Sequence, residues 1–349
     1  MISVIVPTYN EEHFIASFLD NVLQQDVDQT QVEIIISDGR STDRTREIVA
    51  TYQTKYNNIV LIDNPDKYVP QALNKALAIA KGETIVRLDA HSIYPKNYIR
   101  TLVLKLHSLQ ADNVGGMWIT EPGNQTLEAA AIAIATTDKI GIGNASYRHG
   151  AASEIETDTV PYGCFKKDIF TRIGTFDEDL LRNQDDEFNG RIIKNNGKIF
   201  LIPEVKIRYF ARPTYAKMRT MFYQYGLYKP LVMLKLGSPA TMRQFAPPML
   251  VLGHSIAAFF MLLFPSIWWF FGSGLLAYYL LLLFRATQIT QRLPAFATQF
   301  SRLKLILKIF LAFPQIHFSY GMGYIKGWME FVVLKKHLKN SSASLKENR

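Results

Sequence analysis

The sequence predicts an α/β fold, a mostly parallel sheet covered by helices, followed by a helical membrane-associated region. Three observations predict it. Short β-rich runs alternate with helical patterns through the first 210 residues, as βαβ units do. Polar, acid-bearing clusters stand at the ends of three of those runs. Residues 249–284 contain no Asp, Glu, Lys or Arg.

The elements follow in order. Residues 3–6 read as a strand and 11–24 as a helix. Residues 32–36 form the second strand. A helix over 43–54 comes next, capped by Ser41 or Thr42 with Asp43 in its first turn. A strand at 59–62, a helix at 70–80 and a strand at 84–88 complete the pattern. Parallel sheets bind ligands at the carboxyl ends of their strands. Those ends read Pro7-Thr8-Tyr9-Asn10-Glu11, Ser37-Asp38-Gly39-Arg40-Ser41-Thr42-Asp43 and Asp89-Ala90-His91. Three acidic clusters on one sheet edge suggest a nucleotide and a divalent metal. No Walker loop is present and no G-x-G-x-x-G follows the first strand, which sets aside P-loop ATP and NAD.

Charge divides the chain of 349 residues. Residues 230–349 carry 13 Lys and Arg against two acids, Glu330 and Glu347, whereas the rest is net −2. A basic excess that flanks apolar segments points to an anionic membrane surface, and an acidic globular part argues against nucleic acid. Within 249–284, Pro265-Ser266 divides two helices, 249–264 and 267–284, each near the lower end of the usual ~17–25 residue span. A buried soluble hairpin is the alternative. Both basic flanks should face the cytoplasm. A third apolar stretch, 309–325, is expected to be broken by Pro314, His317, Gly321 and Gly323, and reads as interfacial or re-entrant. No secretory pattern precedes the strand at Ile2, so the first domain is expected in the cytoplasm, at the cell membrane. The single cysteine, Cys164, excludes an internal disulfide and reads as a packed thiol.

Taken together, Val6-Pro7-Thr8-Tyr9-Asn10-Glu11, the Ser37–Asp43 cluster, Asn74 within Gln71-Ala72-Leu73-Asn74-Lys75-Ala76, Leu88-Asp89-Ala90-His91, Gly174-Thr175-Phe176-Asp177-Glu178 and Asn183-Gln184-Asp185-Asp186-Glu187 resemble glycosyltransferase family 2. These are inverting nucleotide-sugar transferases of GT-A fold. The resemblance covers about residues 1–230, and the aspartate-alanine-histidine form is most similar to the succinoglycan-biosynthesis glucosyltransferase group. It implies a GT-A domain at 1–212; hydropathy and charge add juxtamembrane helices at 213–247, a membrane hairpin at 248–284, a basic loop and third apolar segment at 285–339, and a tail at 340–349.

The resemblance assigns roles. Pro7, Thr8, Tyr9 and Glu11 line a nucleoside pocket that Asn74 closes. Asp38 accepts the imide N–H of uracil. Asp89 is counted among the nucleotide-binding residues, and Asp89 with His91 binds Mn²⁺ or Mg²⁺. His91 stands where the family usually has a second aspartate, and imidazole favours Mn²⁺. Metal binding through it should weaken below pH ~6.5. The family's catalytic base falls on Asp185, although Gln184 replaces the usual glutamate. Asp186 and Arg191 on the same helix, and Gln224, Tyr228 and Lys229 before the membrane, are placed at the acceptor. Simpler alternatives are a helix N-terminal acid for Glu11, a turn residue for Asp38 and a dipole-favoured acid for Asp185. The Q-x-x-R-W of processive members is absent, since Leu227 and Tyr228 occupy its last two positions. The expected activity is therefore addition of one sugar from a UDP-sugar to a polyprenyl-diphosphate-linked saccharide. Synthesis of a polyprenyl-phosphate sugar is the alternative enzyme. A membrane adaptor retaining the fold is the non-enzymatic one.

Overall fold

A computed structural model describes residues 1–239 and 241–336, so the tail expected at 340–349 lies outside the described residues. In chain order the elements are β1 (Ile2–Thr8), α1 (Ile15–Leu23), β2 (Val32–Asp38), α2 (Thr45–Gln53), β3 (Ile59–Asp63), α3 (Val69–Ile79), β4 (Thr84–Arg87), α4 (Tyr98–Ser108) and β5 (Asn113–Glu121). Then come α5 (Leu127–Ala135), α6 (Lys139–Ile142), α7 (Ser146–His149), β6 (Ile155–Glu156), β7 (Cys164–Lys166), α8 (Ile169–Arg172), α9 (Gln184–Lys194) and β8 (Ile199–Phe210). The last four helices are α10 (Tyr215–Leu236), α11 (Ala246–Leu263), α12 (Trp268–Ile289) and α13 (Arg302–Gly327). They form two compact units. The first comprises residues 1–119 and 146–209, the second 120–145 and the chain from 210 onward. The excursion 120–145 thus joins the helices, although no shift in composition marks it in the sequence.

The first unit is a mixed α/β layer structure. Its strands run in the order β3-β2-β1-β4-β7-β5-β8-β6. Strands β1 to β4 run parallel to one another, while β7 is antiparallel to both β4 and β5. Side chains alternate between two buried faces, as strand geometry requires. Val4, Val6, Ile34 and Ile36 pack on one side with Phe18, Val49 and Leu102. Ile5 and Ile35 pack on the other with Leu73, Phe188 and Ile192.

Two helices start later than their periodicity predicts, for a physical reason. The loop after β1 is tied to the loop after β2. Asn10 N donates to Ser41 Oγ (2.8 Å), Glu11 N to Thr45 Oγ1 (2.8 Å) and Glu12 N to Asp43 Oδ2 (3.1 Å), so these residues stay out of α1. Ser41 and Thr42 are similarly engaged by Asp38 and Asn10. The first turn of α2 is met instead by Asp43, whose Oδ1 accepts Thr45 N at 3.0 Å.

In the second unit α5, apolar but for Glu128 in its first turn, packs with Met218, Phe222, Leu282, Ile309 and Phe313. Three helical stretches, Met242–Leu263, Trp268–Ile289 and Arg302–Val333, are long and apolar enough to cross a membrane. The hairpin of α11 and α12 leaves its apolar side chains uncovered, with Leu262 81% and Trp269 75% exposed. A hairpin buried in a soluble protein would hide them.

The third stretch is not broken. Helix α13 runs continuously through Pro314, Gly321 and Gly323. Its glycines are contact points rather than breaks. A Cβ at Gly323 would collide with Tyr223 O of α10, one at Gly327 with Leu227 O, and one at Gly226 of α10 with Tyr320 O. Small residues spaced by four let apolar helices touch backbone to backbone. Gly323→Ala is accordingly expected to destabilise the purified protein by about 1–3 kcal/mol. Gly253→Ala in α11, where nothing lies within 4 Å, should not, and thermal unfolding of the two variants checks this.

Candidate active site

The site lies in the first unit, where β1, β2 and β4 deliver their carboxyl ends side by side. Thr8 and Asp38 are register partners on β1 and β2, and Thr8 Oγ1 donates to Asp38 Oδ2 at 3.1 Å. Gly39 follows because a Cβ there would lie 3.1 Å from the Tyr9 ring. Lys67 Nζ stands 5.7 Å from the centroid of that ring.

Arg87, the last residue of β4, organises the centre. Its Nη1 donates to Asp185 Oδ2 at 2.5 Å and its Nη2 to Asp89 Oδ1 at 3.3 Å. The guanidinium carbon lies 5.4 Å from the Tyr162 ring centroid. Tyr94 fixes the backbone beside it: the Tyr94 hydroxyl receives Asp89 N at 2.8 Å and donates to Asp89 O at 3.2 Å. Asp185 opens α9, after Asn183 in a left-handed conformation (φ 61°). Its neighbour Glu187 turns inward and pairs with Arg191, as the ~100° step between helix residues requires.

The electrostatics of the pair are asymmetric. Burial opposes the Arg87 charge, but Asp185 and Asp89 outweigh it and hold the guanidinium pKa above its ordinary value. Burial is also the largest influence on Asp185 and lifts its pKa; Arg87 pulls it back, while Asp89 and Asp186 add to the rise. Asp185 is 31% exposed as a side chain, yet its Oδ1 is buried and has no hydrogen-bond partner. One carboxylate oxygen is therefore clamped and the other is vacant.

Several assigned residues sit differently from expectation. Asp38 is 0% exposed and accepts from Thr8, Ser41 N, Ser41 Oγ and Arg46 Nη1. It organises its own loop, and a base can reach Oδ1 only if Arg46 leaves it. Asn74 is engaged by a neighbouring loop. Its amide donates to Phe176 O (2.8 Å) and Glu178 Oε1 (2.9 Å) and accepts Phe176 N, pinning the 176–178 loop to α3. Arg191 is not available to an acceptor, because all five of its N–H groups go to Glu187 and to the carbonyls of Ile173, Gly174 and Thr175. In the second unit, Tyr228 is buried against Phe331, while Gln224 and Lys229 are half-buried on α10.

Asp89 and His91 do not share a strand face. Strand β4 stops at Arg87, and Ser92 N bonds Asp89 O at 3.3 Å to close a turn. Asp89 faces Arg87, whereas His91 Nδ1 lies 3.2 Å from Glu11 Oε1. Among the described residues no three metal-ligating side chains converge. Carboxylate and imidazole nonetheless suit a divalent cation that takes its other ligands from phosphate oxygens. Pro7 and Glu11 are half-buried at the end of β1, and Cys164 is fully buried in β7, where desolvation raises its thiol pKa.

Arg87 is the residue that sequence reasoning missed. Its signal was present: a charge in an apolar strand, two residues before Asp89, needs a buried partner.

The model of glycosyl transferase family 2 matches residues 3–174. The dolichyl N-acetyl-alpha-D-glucosaminyl phosphate 3-beta-D-2,3-diacetamido-2,3-dideoxy-beta-D-glucuronosyltransferase of Methanococcus voltae is 31% identical over 243 residues, covering 67% of this chain and 74% of the relative. The chain belongs to glycosyl transferase family 2. Succinoglycan biosynthesis protein ExoA of Rhizobium meliloti is 29% identical over 64% of this chain and 66% of its own length. The mannosyltransferase PcManGT from Pyrobaculum calidifontis, solved with GDP-Man and Mn²⁺, shares the fold at a TM-score of 0.61 and 18% identity, over 93% of this chain and 86% of that one. The family match holds both tied loops, Arg87 and Asp89, but ends before Asp185. The place of Asp185 in this family 2 glycosyltransferase therefore rests on its geometry.

Proposed function

We propose that the protein is a membrane-anchored inverting transferase that moves one sugar from a UDP-sugar to a lipid-linked saccharide in cell-surface polysaccharide assembly, with its catalytic unit in the cytoplasm. The observation that carries this reading is the Asp185 carboxylate clamped by Arg87 beside Asp89, at the strand ends where a nucleotide sugar would lie. The acceptor hydroxyl gives its proton to the Asp185 carboxylate as its oxygen bonds to the anomeric carbon. The bond from that carbon to the diphosphate breaks on the opposite face, and UDP leaves. A divalent cation held by Asp89 and His91 would neutralise the departing diphosphate. Pro7, Thr8, Tyr9 and Glu11 enclose the nucleoside, with Asp38 reading the base once Arg46 has moved. Asp186, Gln224 and Lys229 remain the acceptor-side positions.

The name of one relative, which acts on a dolichyl-phosphate sugar, supports the acceptor class, and that of another, a succinoglycan biosynthesis protein, supports polysaccharide assembly. The test is to incubate membranes carrying the protein with a panel of UDP-sugars and lipid-linked acceptors, with and without Mn²⁺, and to identify the product. Release of UDP without a glycosylated lipid in every combination would remove the reading. His91→Ala is expected to raise the Mn²⁺ needed for UDP binding by at least the ~10-fold that loss of an outer-shell partner costs. Calorimetric titration of UDP at a series of Mn²⁺ concentrations measures this without turnover.

A further inference from the structure

A cavity of about 430 Å³ lies wholly within the second unit, between α5 and the segment that leaves α12. Ala133, Ile134, Leu293 and Phe296 give it apolar walls, and no carboxylate lines it. Thr120 and Arg292 supply polar groups. Thr120 is only 8% exposed, yet its Oγ1 has no hydrogen-bond partner. Buried hydroxyls are nearly always paired, so this orphan, on a residue that lines the cavity, is one that a ligand there would satisfy after a χ1 turn.

The two arginines near the end of α12 are unlike. Arg285 is neutralised, with Nε and Nη2 bonded to Asp138 Oδ2 at 3.0 and 2.7 Å. Arg292 is exposed, and no carboxylate pairs with it among the described residues. It is a guanidinium left at the mouth of an apolar cavity, just beyond a helix of membrane-spanning length.

We propose that this cavity binds a net-anionic phosphate ester carried on an apolar chain. The Arg292 fork pairs two phosphate oxygens, the Thr120 hydroxyl donates to a third, and the apolar walls take the first carbons of the chain. A zwitterionic head would bring an ammonium group with no acid to meet it. The site does not depend on the transfer reaction, and its test reads lipid retention rather than turnover.

Native mass spectrometry of the full chain released from phosphatidylcholine nanodiscs, doped with phosphatidylglycerol or with a polyprenyl phosphate, measures that retention. The wild type is expected to keep the anionic lipid in preference to phosphatidylcholine. Arg292→Gln should lower retention about tenfold, the scale of one charge-assisted hydrogen bond. Thr120→Val should lower it as well, and Thr120→Ser should restore it. Lys304→Gln, an exposed cation that does not line the cavity, should change nothing. Retention of phosphatidylglycerol marks a bulk membrane lipid as occupant, and retention of the polyprenyl phosphate alone marks an isoprenoid one. Equal retention of phosphatidylcholine, or equal losses from Arg292→Gln and Lys304→Gln, would mean a diffuse basic collar and overturn the site.

Discussion

Asp185→Asn is expected to lower kcat/KM for sugar transfer by about 10²–10⁴-fold, the usual contribution of a positioned general base. Binding of UDP should survive, because Asp185 meets the acceptor rather than the nucleotide. The substitution is nearly isosteric. Its carboxamide keeps an acceptor oxygen toward Arg87 but puts an amide where Oδ1 stood vacant, and an amide takes no proton. Steady-state kinetics with calorimetric UDP binding separates the two effects. A loss of only a few-fold would favour a phosphate acceptor, which needs no deprotonation. Full activity would remove Asp185 as the base.

Arg87→Leu has the second large effect, on stability and on pH dependence together. Asp185 and Asp89 then face each other across an apolar side chain. Removing one member of a buried ion pair costs about 3–5 kcal/mol, and the lower figure applies because both carboxylates keep some contact with water. The active form of the base is the carboxylate, so activity falls as pH drops through its pKa. Burial already raises that pKa, and Arg87 is the influence that lowers it. Its loss raises the pKa further and moves the acid limb of the rate profile to higher pH. Arg87→Lys retains the charge but offers one ammonium where two carboxylates meet a fork. It should recover most of the pH profile and less of kcat. An unmoved acid limb in Arg87→Leu would show that Asp185 does not govern it.

The site was legible in the sequence to differing degrees. The clusters after β1, β2 and β4 stand out because polar residues following apolar β-rich runs mark strand ends, and strand ends of parallel sheets gather ligands. Asp185 was assigned by resemblance. Its link to Arg87 spans 98 residues, a separation over which no periodicity carries information. Asp38 and Asn74 look like binding residues because both are polar and lie near the site. Only the packed structure shows that loop neighbours already occupy them. Gly323 reads as a helix breaker in isolation, because glycine's helix propensity is low. It serves the opposite end once α10 lies against it, since the absent Cβ allows the backbones to meet.

The sequence alone determined the α/β class, the edge of the sheet where chemistry gathers, and the membrane-length apolar helices. Alternation, strand-end polarity and hydropathy are local properties, written in neighbouring residues. Tertiary structure alone decided which acid Arg87 clamps, which of its oxygens is left unpaired, how 120–145 leaves the sheet for the helices, and which hydroxyl beside a cavity has no partner. Each of these is a pairing between segments far apart in the chain. Its energy depends on distance and burial, which exist only once the chain has folded.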